Sequence, residues 1–91
     1  MLAFVQVSRD TFLEIAPANA NRPAGLTHFG IGVDSASATV TALKARGLTV
    51  SDPRSVGVQW MIASVTAPGA RIELTELGPE SPLGKASSSF K

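Results

Sequence analysis

The chain contains no cysteine. That absence excludes a disulfide framework, a thiolate nucleophile and a cysteine-built zinc cluster, and it leaves no marker of redox compartment. Histidine is almost as scarce: one copy, His28, must carry whatever imidazole chemistry there is. Aromatic residues make up 5% of the chain and charged residues 16%, with eight basic side chains scattered among seven acidic ones for a net charge of +1. Nothing here builds the basic surface with interleaved aromatics that nucleic acid selects, or the positive face drawn to an anionic membrane. No apolar run reaches the ~20 residues needed to cross a bilayer. The opening MLAFVQVSRD lacks the basic start, apolar stretch and small-residue cleavage site of a secretory leader. The expectations are a cytoplasmic location and neither nucleic acid nor membrane as partner.

What is present is a globular composition, 44% apolar over 91 residues, sufficient for a single domain spanning 1–91 and no second one. LAFVQV and TFLEIA are short runs rich in β-formers with Ser8-Arg9-Asp10 as turn chemistry between them, so residues 1–17 read as a β-hairpin that Pro17 stops. Residues 18–25, mostly Ala and Asn with Pro23 and Gly25 and no periodicity, read as a linker. From Leu26 to Val33 the residues alternate, Phe29, Ile31 and Val33 on one face and His28, Gly30 and Gly32 on the other. Asp34 and Ser35 are both good N-cap residues for a helix whose apolar stripe is Ala36, Val40 and Leu43, and Gly47 is placed to end it in the left-handed conformation. The odd-numbered face of the preceding strand is the natural seat for that helix. Leu48-Thr49-Val50 begins a further strand, broken at Asp52-Pro53; VQWMIASVT (58–66) is the strongest β signal; Ala67 to Ala70 is a turn; RIELTEL (71–77) closes a second hairpin. The tail, 78–91, reads as one weak helical turn or a disordered end. The sum is an α+β fold: a β-hairpin followed by a βαβββ module over 26–77. A strand-rich chain this short leaves sheet edges and an apolar face open, which calls for a second copy to cover them.

The pleat sends His28 and Glu73 to the sheet face away from the helix, where they meet if the first and last strands of the module are neighbours. Glu14, centred in an otherwise apolar strand, is the third candidate. One imidazole nitrogen with carboxylate oxygens suits a divalent ion such as Zn²⁺, Mn²⁺, Fe²⁺ or Ni²⁺. The same three residues also describe a hydrogen-bonded strand histidine and two solvated strand carboxylates, and no compact ligand motif such as HExxH decides between the readings. Gly30-x-Gly32 lies between a strand and a helix with Asp52 twenty residues on, but Ser35 stands where a dinucleotide fingerprint needs glycine. No nucleophile elbow accompanies the many serines. Trp60 and Met61 alternate across their strand, so one of them faces the site as a pocket wall or as core packing. Arg71, two residues from Glu73 on the same face, is a candidate for binding a substrate anion or is a surface arginine at a hairpin start.

LTHFGIGVDSASATVTALKARG resembles the opening strand and helix of a vicinal oxygen chelate module, the superfamily of glyoxalases, extradiol dioxygenases and bleomycin-resistance proteins. APGARIELTEL resembles its closing hairpin, with Ala67 where the family often has Asp, and FVQVSRDTFLEIAP resembles the last hairpin of a preceding module. The PESPLGKA tail is similar to the ends of such chains. The resemblance covers most of residues 3–86. It implies a mixed sheet curved into a cup, His28, Glu73 and Glu14 as metal ligands, and Glu14 or Glu73 doubling as general base. The implied activity is metal-dependent chemistry on a small oxygenated molecule, of lyase, isomerase or dioxygenase class; the alternatives are a non-catalytic small-molecule-binding protein of the same fold and a dimeric structural module without ligand. Family members pair two modules, and here the opening strand, helix and second strand of the leading module have no counterpart. A homodimer follows as the expectation, with hairpin and module edges paired across a two-fold axis and strand exchange as a variant.

Overall fold

The computed structural model describes residues 3–67 and 70–90. It is a mixed α+β structure with one two-stranded sheet, one four-stranded sheet and two helices among the described residues. β1 (Ala3–Ser8) and β2 (Thr11–Ile15) form the expected hairpin, antiparallel, with Phe4 opposite Glu14 and Val5 opposite Leu13. β3 (Phe29–Gly32), β4 (Arg54–Gly57), β5 (Trp60–Ala67) and β6 (Ala70–Leu77) form the larger sheet in the order β3-β6-β5-β4. The opening and closing strands of the module are therefore parallel neighbours, although α1 (Ala36–Ala45), β4 and β5 lie between them in the chain.

α1 begins where the sequence places it. The Ser35 hydroxyl accepts from the Ala38 amide at 3.2 Å, and a partner forty residues away, Glu76, accepts from the Ala36 amide through Oε1 at 2.7 Å. Two orphan donors of the first turn are thus satisfied, and a carboxylate sits at the positive end of the helix dipole. Gly47, with φ at +83°, ends the helix as expected. Ala36 and Val40 of the stripe are buried, and Leu43 packs beside them.

Four expectations need correction. α1 packs chiefly on β5 and β6 rather than on β3: its Val40 packs with Val50, Ala63, Val65 and Leu74, and of the odd-numbered face only Val33 joins that cluster while Phe29 and Ile31 remain half-exposed. One ten-residue helix is narrower than a four-stranded sheet, and it lies over the central strands, where it covers the most apolar surface. The strand begun at Leu48-Thr49-Val50 is a single bridge, Val50 with Val65, and the ladder resumes only beyond Pro53, which has no amide to donate. Val58 and Gln59 belong to the turn entering β5, with Gln59 at φ +48°. The tail forms α2 (Pro82–Ser89), longer than one turn. Of the expected turn at 67–70, Pro68 and Gly69 lie outside the described residues. No helix among the described residues is long and apolar enough to cross a membrane.

Candidate functional site

Sheet register decides which side chains share a face. Glu73 lies opposite Gly30 on β3 and opposite Ser64 on β5. His28, Arg71, Glu73, Thr75, Leu77, Ile62 and Trp60 therefore project from the side away from α1. Across that side lies the hairpin. The Phe4 ring meets Trp60 at 5.8 Å between centroids, tilted by 60°. α2 anchors the other end: Arg9 Nη1 donates to the Ser87 carbonyl at 2.9 Å, the Ser87 hydroxyl returns a bond to the Arg9 carbonyl at 2.8 Å, and Gln6 Nε2 donates to the Ala86 carbonyl at 3.1 Å. Glu14 shares a hairpin face with its cross-strand partner Phe4, and so points toward the sheet.

Glu14 comes from β2, Glu73 from β6, and His28 from the residue just before β3. His28 Nε2 is 3.5 Å from Glu73 Oε2 and 3.9 Å from Glu14 Oε1. The His28 and Glu73 side chains are 17% and 18% exposed and Glu14 is 37% exposed, so water reaches the cluster from the hairpin side. The chain matches no family model, no curated protein and no solved structure.

The donor types fit a divalent ion; their spacing is that of an open set. Bonds of ~2.1 Å to a tetrahedral ion put neighbouring donors roughly 3.4 Å apart. The His28–Glu73 separation of 3.5 Å meets that value and the His28–Glu14 separation of 3.9 Å exceeds it. Among the described residues no group of three or more His, Asp or Glu side chains is placed to hold a metal ion. The second nitrogen of the ring bears on the same question. Nδ1 lies 3.0 Å from the Thr27 hydroxyl and 3.3 Å from Arg71 Nη2. A guanidinium only donates, so its bond requires an unprotonated Nδ1, and a neutral ring then carries its proton on Nε2, facing the carboxylates. The alternative tautomer donates from Nδ1 to Thr27, which can accept, and turns the Nε2 lone pair toward the carboxylates; Arg71 then has no acceptor on the ring. Thr27 serves both states and Arg71 serves one.

Beside the cluster a cavity of about 570 Å³ opens between hairpin and linker, lined among others by Glu14, Asn19, Arg22, Thr27, His28 and Arg71. Trp60 shares the sheet face but not this cavity; it packs on Phe4, and its indole Nε1 is buried without a hydrogen-bond partner among the described residues. Sequence reasoning missed Arg22 and Thr27. Arg22 sits in a stretch read as linker, yet that stretch is a built turn. Asn19 Oδ1 accepts from the amides of Asn21 and Arg22, both at 2.9 Å, and the Asn19 and Arg22 backbones exchange bonds at 2.8 and 3.1 Å. The legible signal was Asn19 itself, whose side chain favours an Asx-turn. The glycine pair offers no phosphate seat, because Ser35 and Glu76 already occupy amides at the start of α1.

Proposed function

We propose that this chain is a small metal-dependent enzyme of the vicinal oxygen chelate type, acting on a small oxygenated molecule in a cup formed by the hairpin and the four-stranded sheet, and working as a homodimer. The observation that carries the reading is the convergence of the Glu14 carboxylate from β2 and the Glu73 carboxylate from β6 on one ring nitrogen of His28, at the entry to β3. His28 and the two carboxylates would hold the ion, which when bound supplies Lewis-acid polarisation of substrate oxygens. The remaining work falls to the chain. Glu73, the less exposed carboxylate, is fixed by its strand and suited to take a proton from substrate, and Glu14, on the more exposed side, exchanges protons with water. Ile62, Leu77, Phe4 and Trp60 extend the face with apolar surface that limits water at the far side. Isomerisation, lyase and oxygenation chemistry are all compatible with this equipment, and fold alone does not choose.

A second reading has its own observation. The Arg71 bond to Nδ1 selects the ring tautomer whose Nε2 carries a proton and cannot ligate, which favours a binding protein that holds a small molecule without turnover. Elemental analysis of chelator-stripped and reloaded protein separates the two. The enzyme reading expects a stoichiometric transition ion, with affinity in His28→Ala lowered beyond the ~10–100-fold typical of losing an outer-shell partner and the circular dichroism spectrum unchanged. A reloaded wild-type chain that retains no metal sinks the enzyme reading and leaves the binding protein.

A further inference from the structure

We infer that Arg22 and Arg71 form an anion seat in the cavity beside His28, and that the ligand of this site is a small molecule carrying a carboxylate or phosphate at one end and an oxygen function at the other. The inference names the ligand class of the proposed site and rests on that site being the working one.

Both arginines line the same cavity, and each spends little of its hydrogen-bonding capacity on the protein. A guanidinium has five N–H donors. Among the described residues Arg22 gives one side-chain bond, from Nη2 to the Pro17 carbonyl at 3.2 Å. Arg71 gives one, to His28 Nδ1 at 3.3 Å, and stands 3.9 Å from Glu73 Oε2, too long for a strong pair. A surface arginine on a floppy linker would be solvated and unspecific. Arg22 instead grows from a turn closed by the bonds at Asn19 and stiffened by Pro17 and Pro23, so its placement costs little entropy on binding. The cavity's volume of about 570 Å³ suits a small organic molecule.

Charge then orients that molecule. Glu14 and Glu73 flank His28 and repel an anion from that end, while the two guanidinium groups attract one to theirs. Arg71 reaches both ends, so an anion that captures it also removes the donor now bonded to Nδ1 and frees the ring for its other tautomer. Binding of the anionic end and readiness of Nε2 are thereby linked through one side chain.

The test titrates metal-free protein at low ionic strength with malonate and, separately, inorganic phosphate, followed by calorimetry and by the Nε–H resonances of arginine. Saturable binding of at least one probe is expected, with the Arg22 and Arg71 resonances moving. Arg22→Gln and Arg71→Gln should each weaken it roughly ten- to a hundredfold, and Arg54→Gln, on the far edge strand, should not. A preference for malonate assigns the carboxylate source, and a preference for phosphate the other. No binding of either probe to the wild type overturns the proposal, as does equal weakening by Arg54→Gln. Metal content of the Arg22 variant, measured in parallel, should match the wild type, so failure of the anion seat and failure of the metal site are read separately.

Discussion

At the scale of single residues, the tightest ion pair among the described residues lies outside the site. Lys44 Nζ, in the last turn of α1, stands 2.6 Å from Asp52 Oδ1 in the segment leading to β4. The hydrogen bond from Lys44, and after it the ammonium charge, hold the Asp52 carboxyl below the ordinary aspartate range. A carboxyl depressed in the folded state binds its proton more readily when unfolded. Its stabilising contribution is therefore present above the unfolded aspartate value and is lost as pH falls through the folded one. Both groups are open to solvent, so the contribution is small and screened by salt. Carboxyl carbon NMR across an acid titration should show Asp52 titrating low in the wild type and returning upward in Lys44→Ala and in high salt. An ordinary titration of Asp52 in the unmodified protein at low salt would show that the pair does not persist in solution.

At the scale of elements, α2 shows how a segment of weak helix-formers becomes ordered. Ser81 is fully buried, and its hydroxyl both donates to the Gly78 carbonyl at 2.7 Å and accepts from the Gly84 amide at 3.0 Å. Pro82 takes the first helical position, where a missing amide costs nothing. Gly84 fits because a Cβ there would meet the Gly78 carbonyl and the Ser81 hydroxyl. Ser81→Ala removes a cap and strands the Gly84 amide, while the Gly78 carbonyl keeps its bond from the Ser81 backbone amide at 3.1 Å; the change costs about 1–2 kcal/mol, and a loss of that size lowers Tm by roughly 4–8 °C per kcal/mol in a chain of this length. Thermal unfolding measures the shift, and hydrogen exchange at the Lys85 amide, bonded to the Ser81 carbonyl, should accelerate. A variant with unchanged Tm would mean that the cap does not hold α2 in place. None of this was legible beforehand, because Ser81 looks like any serine until its burial is known. The hairpin and α1 were legible because their signals are local: turn residues between two β runs, a cap before a stripe, a glycine after it. That His28 and Glu73 share a face followed from the two-residue pleat together with one topological premise, adjacency of β3 and β6. The seat of α1, the capping of α1 by Glu76 and the turn that presents Arg22 depend on contacts far apart in sequence or on side-chain bonds, and periodicity carries no record of them.

The whole molecule is more open than its size requires. Its radius of gyration is 14.0 Å, whereas a compact chain of this length is expected near 12 Å. Its accessible surface is 6394 Å², against roughly 5000 Å² for a folded monomer of the same mass. That excess exceeds the ~800 Å² per partner that a standard interface covers. The location of the uncovered apolar surface is specific. Val5, Leu13 and Ile15, with Ala3, project from the hairpin side opposite Glu14, and the three larger side chains are 45%, 54% and 55% exposed. Phe29 and Ile31 on edge strand β3 are 51% and 46% exposed. Among the described residues no charged side chain lies on that hairpin face, which matters because a two-fold contact sets each group against its own copy, and only an uncharged face meets itself without repulsion. β2 and β3 also each leave one edge unpaired among the described residues, on either side of the Glu14–His28 pair. The proposed homodimer places this face and these edges against a second copy. Light scattering should give twice 9.4 kDa for the wild type, and Leu13→Lys combined with Ile15→Lys should shift it to the monomer while leaving α1 and the larger sheet folded, as judged by circular dichroism. If that monomeric variant still binds metal and malonate as the wild type does, the site is complete within one chain and the second copy serves only to cover apolar surface. If it loses both, the partner completes the cup. A wild-type chain that scatters as a monomer overturns the dimer, and the exposed hairpin face then belongs to a different apolar partner.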